Sequence, residues 1–346
     1  MHKPLFLLSL LLLSLFTVKG QLKPVDFELR PPGRQVSNSL YGKILVLDSR
    51  SDTTNLGMTK GDERRIVPKI PLSSQLQTLV DSLKGGTAGN GSLLLQIRGF
   101  RFAEEIRGIR ERGCCYLRLI LYAKTPDGYR KLDLLDTVVE AKFPVASKQL
   151  NKAASESITG LIAKNLVVSP GDSTSARPPN HDEKTYSYYQ LTRLDSLEKA
   201  DIKLYNCTEY KEGAYMSYQA LKDQTPDYQI LKVSYDTGRI STIRVAGKNG
   251  KSEKLKNDEI YAIVYQENLY VSTPSGYFQV GKNSDNDFFF IGRYKRPPSA
   301  GDRMAAGLML GLAGSLLSAS GYSVPCEMKI DHLTGAFIPT NIITRP

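Results

Sequence analysis

The chain has no tryptophan and only three histidines among its 346 residues. His2 lies in the extreme N-terminal segment, which leaves His181 and His332 far apart in the rest of the sequence. A zinc site needs three or four well-spaced ligands, and a nucleophile–histidine triad needs a histidine beside the nucleophile. We therefore predict no metal site and no such triad. A pair of carboxylates needs no histidine to hydrolyse a glycoside, so this chemistry stays open among the 35 acidic residues.

Cysteine is also scarce, and its spacing excludes the usual metal motifs. The four cysteines are Cys114, Cys115, Cys207 and Cys326, with no CxxC pair among them. Cys114 and Cys115 are neighbours on a predicted strand, so their side chains point to opposite faces. Cys207 and Cys326 fall in the same predicted domain and are the candidate disulfide pair, although spacing alone does not establish connectivity.

Glycine-rich phosphate-binding loops are missing as well. The Gly250-Lys251-Ser252 triplet has Val245 where a phosphate loop needs glycine, and strand-like sequence follows it. The GGTAGNG stretch follows a predicted helix and precedes a strand, which reverses the order of a dinucleotide site. We therefore expect no cofactor.

The N-terminal residues predict export. Lys3 precedes an apolar run from Leu5 to Val18, and small or turn-prone residues follow around Gly20. This pattern is typical of a secretory signal peptide over residues 1–20. No cysteine follows the run, so a bacterial lipid anchor is not expected. The mature chain should begin near Gln21, in the periplasm or associated with the outer membrane.

The composition is that of a globular, basic protein. Hydrophobic residues make up 41% and charged residues 23%, and roughly 325 mature residues are enough for two domains. The formal charge of +11 falls to +9 when the two signal-peptide lysines are removed. Candidate partners are envelope proteins or an anionic envelope surface, whereas export argues against nucleic acid.

Periodicity predicts an arm and a first domain. Residues 21–42 are polar, contain proline and read as an extended arm. The region 43–167 has the order β-α-β-β-β-α, with a helix whose apolar residues begin at Leu72 and end at Leu83, before Gly85-Gly86. Gly99 predicts a bulge, and Thr125 to Gly128 predicts a turn. The charged stretch from Gly99 to Gly113 predicts a solvated loop, with an anion or partner site as the alternative.

A linker and a second domain follow. Residues 168–184 are rich in serine, proline and glycine, which is a linker composition. The region 185–346 begins with many tyrosines, continues in short strand-like segments, and contains a hairpin signal at Asn249-Gly250. Tyrosines at its start could cover a core or form an aromatic binding platform.

The segment Met304–Ser320 (MAAGLMLGLAGSLLSAS) contains no charge. As a helix it would span about 25 Å, short of an apolar layer of about 30 Å. Its small residues fall on one stripe that permits close backbone approach. They are Gly307, Gly311, Gly314, Ser315 and Ser318. Packing on the protein's own sheet, contact with a membrane or partner, and homo-oligomerisation remain the alternatives.

Two parts of the chain carry a resemblance. The first begins ILVLDSRSDTTNLGMTKGDERRIVPKIPLSSQLQTLVDSL and continues through the strands LLLQIRGFRF and DTVVEAK. The second begins KEGAYMSYQALKDQTPDY and continues through EIYAIVYQENLYVSTPSGYFQVG to IDHLTGAFIP. Both resemble uncharacterised exported envelope proteins of Bacteroidota, which implies an envelope location but no activity or site. The element order of the first domain is also similar to auxiliary proteins of envelope transport systems.

Together these observations predict an α+β chain, with a β-α-β-β-β-α domain followed by a mostly-β domain that carries one apolar glycine-rich helix. The expected role is that of a non-catalytic binding, scaffolding or assembly component of the cell envelope. The alternative is a carboxylate-dependent hydrolase of envelope or extracellular glycans or peptides.

Overall fold

The computed structural model describes residues 23–30, 32–59, 64–85, 88–107, 110–142, 146–170, 184–247, 250–296 and 322–343. Strands and helices are interleaved along them, which confirms the predicted mixed α/β content. Among these residues, no helix is long and apolar enough to cross a membrane. The predicted signal peptide, residues 171–183 of the predicted linker and the predicted helix 304–320 lie outside them.

The first half of the chain builds a five-stranded sheet with two helices. Its elements are β1 (Val25–Phe27), β2 (Ser39–Asp48), β3 (Met58–Thr59), β4 (Arg64–Pro68), α1 (Leu72–Leu83), β5 (Ala88–Arg107), β6 (Arg110–Thr125), β7 (Gly128–Lys142) and α2 (Ala146–Asn165). The strand order is β2-β5-β6-β7-β8, where β8 (Thr185–Tyr186) comes from the second half. The pair β2–β5 is parallel and the other pairs are antiparallel.

The two helices cover one face of this sheet. The buried residues of α1 include Leu72, Leu76 and Leu83, and they join those of α2 and the sheet in a single hydrophobic cluster. Helix α1 ends at Leu83, and Gly85 then adopts a φ of +61° that favours glycine. We call the opposite face of the sheet its outer face.

The predicted arm over residues 21–42 contains a strand in its described part. Strand β1 pairs in parallel with β4, with Val25 opposite Ile66, and Phe27 is fully buried. Strand β3 completes this three-stranded sheet. Segments about 40 residues apart form these pairs, so local periodicity does not reveal them.

The predicted loop from Gly99 to Gly113 is instead the end of a long hairpin, so this prediction is wrong. Strand β5 continues to Arg107, β6 begins at Arg110, and these two residues are paired. The alternation of charge along this stretch fits two strand faces as well as it fits a loop. The turn from Thr125 to Gly128 is confirmed, since it joins β6 and β7 with a φ of +143° at Gly128.

The second half contains short helices and three sheets. Its further elements are α3 (Tyr188–Thr192), α4 (Leu194–Ala200), α5 (Lys203–Asn206), β9 (Gly213–Tyr215), α6 (Tyr218–Lys222), β10 (Ile230–Asp236), β11 (Arg239–Ala246), β12 (Ser252–Leu255), a 3₁₀ turn (Asn257–Glu259), β13 (Ala262–Tyr265), β14 (Asn268–Thr273), β15 (Gly276–Gln279), β16 (Gly281–Lys282), β17 (Phe288–Arg296), β18 (Tyr322–Ile330) and β19 (Phe337–Ile342). The sheets are β10-β11-β12, β15-β14-β13-β9 and β16-β17-β18-β19. The pair β11–β12 forms the hairpin predicted around Gly250.

The start of the second half lies on the first sheet. Strand β8 pairs with β7, and Leu191 and Leu194 pack against Leu94, Ile120 and Tyr122 of the outer face. Two other hydrophobic clusters lie entirely within residues 202–330. The contacts of α3 and α4 therefore bring the second half onto the outer face of the first sheet.

Candidate functional site

A bulge in β5 places two arginines side by side on the outer face. The register of β5 against β6 shifts between Ile97 and Gly99, so Arg98 is the extra residue. Gly99 lies opposite Arg118, and a Cβ on Gly99 would stand 3.3 Å from the Arg118 Cβ. The bulge predicted at Gly99 thus turns both guanidinium groups toward the second half of the chain.

Arg98 binds two carboxylates of helix α4. Its Nη2 lies 2.6 Å from Asp195 Oδ1 and 2.6 Å from Glu198 Oε2, and its Nη1 lies 2.8 Å from Glu198 Oε1. Only 5% of the Arg98 side chain is exposed. Asp195 and Glu198 are three residues apart, so both lie on one face of the helix.

His332 completes this group from the turn after β18. Its Nε2 lies 2.7 Å from Glu198 Oε2, and because an ionised carboxylate only accepts hydrogen bonds, the ring nitrogen is the donor. The side chain is 4% exposed. The ring packs edge-on against Tyr205, and the main-chain carbonyl of His332 accepts from the Tyr218 hydroxyl at 2.8 Å.

Arg118 makes the neighbouring connection. Its Nε lies 3.0 Å from Asp136 of β7, and its Nη1 donates to Asp331. The other oxygen of Asp331 accepts from the amide of Thr334 at 2.8 Å and from that of Leu333 at 3.1 Å. The Asp331 carboxylate therefore stabilises the turn that contains it and also pairs with an arginine of the first sheet. We call Arg98, Arg118, Asp195, Glu198, Asp331 and His332 the arginine joint.

A further carboxylate, the buried Asp287, extends the network. Asp287 lies between two lysines, with Lys199 Nζ at 2.5 Å and Lys329 Nζ at 2.8 Å. The Lys199 side chain is 5% exposed and also donates to the carbonyl of Asp285. Since Lys199 follows Glu198 on α4, this short helix is held on one side by the sheet and on the other by the β17–β18 region.

The charges of these carboxylates are stabilised by their partners. Burial raises the pKa of Glu198, but hydrogen bonds from His332 and Arg98 outweigh it and hold the pKa below its usual range. Burial also raises the pKa of Asp331, but Arg118 outweighs it and holds the pKa below its usual range. The pKa of Asp287 is lowered in the same way, because Lys199 and Lys329 outweigh the effect of burial. All three groups are therefore ionised at neutral pH.

Asp195, Glu198 and His332 also have the composition of a metal-binding group. Their candidate ligand atoms lie within 4.8 Å of one another, and one imidazole with two carboxylates suits zinc or iron. The guanidinium of Arg98, however, already donates to both carboxylates and places a positive charge beside them. This arrangement opposes a divalent cation, and the ion pairs account for the group without one.

We expect the stability of the protein to fall as the pH drops below about 4. The folded-state pKa values of Glu198, Asp287 and Asp331 are depressed. Their contribution is therefore complete above the unfolded-state pKa and is lost as the pH falls through the folded-state values. Urea unfolding between pH 7 and pH 2 measures this loss. The variant Asp331→Asn should flatten the pH profile, whereas Glu209→Gln at an exposed position should not, and a parent profile that stays level into acid would contradict the assignment.

The residues singled out from the sequence lie elsewhere. The stripe Gly307, Gly311, Gly314, Ser315 and Ser318 and the histidine His181 lie outside the described residues. The structure does not join the candidate pair Cys207 and Cys326 by a disulfide, and their sulfurs donate to the carbonyls of Leu204 and Glu327, respectively. Cys326 is buried in the core on β18, whereas Cys207 is partly exposed at the end of α5.

Sequence reasoning missed the arginine joint almost entirely. The bulge at Gly99 was the usable signal, because a bulge reorients the side chains next to it. The partners Asp195 and Glu198 lie 97 and 100 residues from Arg98, and nothing local distinguishes them from other acids. No protein-family model, curated protein or solved structure matches this chain, so the interpretation of the site depends on its geometry.

Proposed function

We propose that the chain is an exported cell-envelope protein that acts as a non-catalytic binding, scaffolding or assembly component. The observation that carries the proposal is that the clustered charges of the chain pair with one another. The carboxylates of the arginine joint are bound by arginines of the first sheet, so they connect two parts of the chain. Such a network favours one fixed arrangement of the two halves over an open catalytic cleft.

The electrostatics argue against Glu198, Asp287 and Asp331 as the general acid of the alternative, a carboxylate-dependent hydrolase. A general acid for glycoside cleavage needs a raised pKa, so that it holds a proton at working pH. Glu198, Asp287 and Asp331 have lowered pKa values because cations neutralise them. Each is suited to an ion pair and unsuited to donating a proton.

The proposed architecture has two domains. The first is the β-α-β-β-β-α unit over residues 43–167, and the second is the mostly-β region 185–346 with an apolar helix over 304–320. Support comes from the separate hydrophobic cores of the two halves. The contacts that join the halves combine ion pairs with the apolar packing of Leu191 and Leu194 on the outer face.

The apolar segment is proposed as a contact with a partner, a membrane or a second copy of the chain. It falls between β17 and β18, which pair along their whole length up to Arg296 opposite Tyr322. The two strands that flank residues 297–321 therefore end side by side. Co-purification would detect a partner, vesicle flotation would detect a membrane, and the mass in solution would detect a second copy.

Export is tested by the N-terminus of the protein isolated from its native cell. We expect the mature chain to begin close to Gln21, because the apolar run ends just before it. We also expect recovery from the periplasmic or outer-membrane fraction. Intact Met1 on protein from the soluble cytoplasmic fraction would contradict the proposed location.

The absence of catalysis is tested separately on the purified mature protein. Envelope glycans and peptides should be turned over no faster with the parent than with Glu198→Gln, measured by release of reducing ends or free amines. Turnover by the parent that the variant abolishes, with folding intact, would favour the hydrolase instead.

A further inference from the structure

The structure separates the tyrosines at the start of the second half into two groups. Tyr205, Tyr215 and Tyr218 are buried in the second-half core. Tyr188 and Tyr189 are instead 50% and 66% exposed, although each carries a large ring. Packing in the core therefore explains the buried tyrosines, but it does not explain the exposed Tyr188 and Tyr189.

The exposed tyrosines are held on a rigid support. They occupy helix α3, whose first turn is capped by Ser187 and Gln190. The side-chain oxygen of each of these two residues accepts a hydrogen bond from the main-chain amide of the other. Leu191 of the same helix is fully buried against the outer face, and its carbonyl accepts from Gln96 at 3.0 Å. The Tyr188 ring also rests 6.2 Å from that of Tyr129. A preformed surface of this kind loses little entropy when it binds a ligand.

Cations surround these rings. The Arg193 guanidinium lies 5.5 Å from the centre of the Tyr189 ring and donates to its hydroxyl at 2.6 Å. Lys184 Nζ lies 5.4 Å from the centre of the Tyr186 ring. Lys124 stands opposite Tyr129 in the β6–β7 register.

These cations differ from those of the arginine joint. Among the described residues, no carboxylate lies within ion-pair distance of Lys124, Lys184 or Arg193. Arg98 and Arg118, in contrast, each bind two carboxylates. The surface around the exposed tyrosines therefore offers positive charge that no carboxylate of the described residues pairs with, beside aromatic faces.

We propose that this surface, which we call the tyrosine patch, binds an anionic glycan. It consists of Tyr186, Tyr188, Tyr189, Lys124, Lys184 and Arg193. A pyranose ring has an apolar C–H face that packs on an aromatic ring, and its carboxylate or sulfate groups pair with arginine and lysine. Charge complementarity selects an acidic sugar over a neutral one. The proposal rests on the proposed role as an envelope binding component, and it names the ligand class of that role.

The test is calorimetric titration of the purified mature protein with a heparin oligosaccharide, against a neutral maltooligosaccharide of the same length. The parent should bind the heparin oligosaccharide, and the neutral sugar should bind far more weakly. Tyr188→Ala and Tyr189→Ala should each weaken heparin binding about tenfold, because each removes a stacking ring. Since at least half of each side chain is exposed, the thermal unfolding temperature should change little.

Two matched controls separate the patch from the general positive charge. Tyr235→Ala removes another half-exposed ring, on β10, and Arg239→Gln removes another exposed positive charge, on β11. Both should bind as the parent does, whereas Arg193→Gln should bind about tenfold more weakly. Equal losses for Arg193→Gln and Arg239→Gln with unaffected tyrosine variants, or no heparin binding by the parent, would overturn the proposal. The assay uses purified protein, so it stays informative even if export itself is contradicted.

Discussion

Replacing Arg98 with methionine should lower the free energy of unfolding by about 3 kcal/mol, the lower end of the range for breaking a buried ion pair. Asp195 and Glu198 would lose their cation, and Glu198 would keep its charge in a site where it is largely buried. Asp195 is about half exposed, which limits the loss. Urea unfolding of the parent and the variant at pH 7 measures the difference.

Two further variants make this result interpretable. Lys69→Met removes an ion pair with Glu28 that has similar geometry but lies on the surface, so it should lower the free energy of unfolding far less than Arg98→Met does. Arg98→Lys keeps the charge but offers no planar fork to bind two carboxylates at once, and should fall between the parent and Arg98→Met. If Arg98→Met cost no more than Lys69→Met, the arginine joint would not hold the two halves together.

Gly57→Ala should destabilise the protein by at least about 3 kcal/mol, from backbone strain and steric overlap combined. Gly57 has a φ of +114°, and an added Cβ would stand 2.0 Å from the carbonyl oxygen of Phe102. Gly57 and Phe102 form a parallel β-bridge, in which the amide of Phe102 donates to the carbonyl of Leu56 at 2.6 Å. Moving the two backbones apart would break this hydrogen bond and that of Ile66 to the carbonyl of Gly57. Thermal or urea unfolding of the variant gives the measurement.

The matched control is the same substitution at Gly160. This glycine lies inside helix α2, and an added Cβ would meet nothing within 4 Å. Alanine should there raise stability by roughly 0.5–1 kcal/mol through helix propensity. Similar changes at Gly57 and Gly160 would mean that the bridge between Gly57 and Phe102 of β5 is not tightly packed.

Local sequence signals predicted the elements that local interactions form. The apolar spacing from Leu72 to Leu83 with glycine after it predicted α1, and both the turn at Gly128 and the hairpin around Gly250 followed from turn chemistry. These features depend on residues within a few positions of each other. The mixed α/β content followed from the same alternation of helical and strand periods.

Long-range features were not predictable in this way. The parallel pairing of β1 with β4, the continuation of β5 and β6 through the charged stretch and the docking of α4 each depend on distant partners. For the joint, 46 basic and 35 acidic residues allow far too many pairings for sequence alone to choose Arg98 with Glu198. Only the bulge predicted at Gly99 indicated where the arginine joint lies, and it did not indicate which residues pair with Arg98.

The most direct test of the central claim is a double-mutant cycle between Arg98 and Glu198, with the free energy of unfolding as the readout. If these residues form a structural joint, Arg98→Met and Glu198→Gln should each destabilise the protein, and their interaction energy should be about 1–3 kcal/mol. A catalytic carboxylate is often kept at the expense of stability, so its replacement leaves stability unchanged or raises it. An unchanged or more stable Glu198→Gln variant, with no coupling to Arg98, would contradict a structural and non-catalytic role for this cluster.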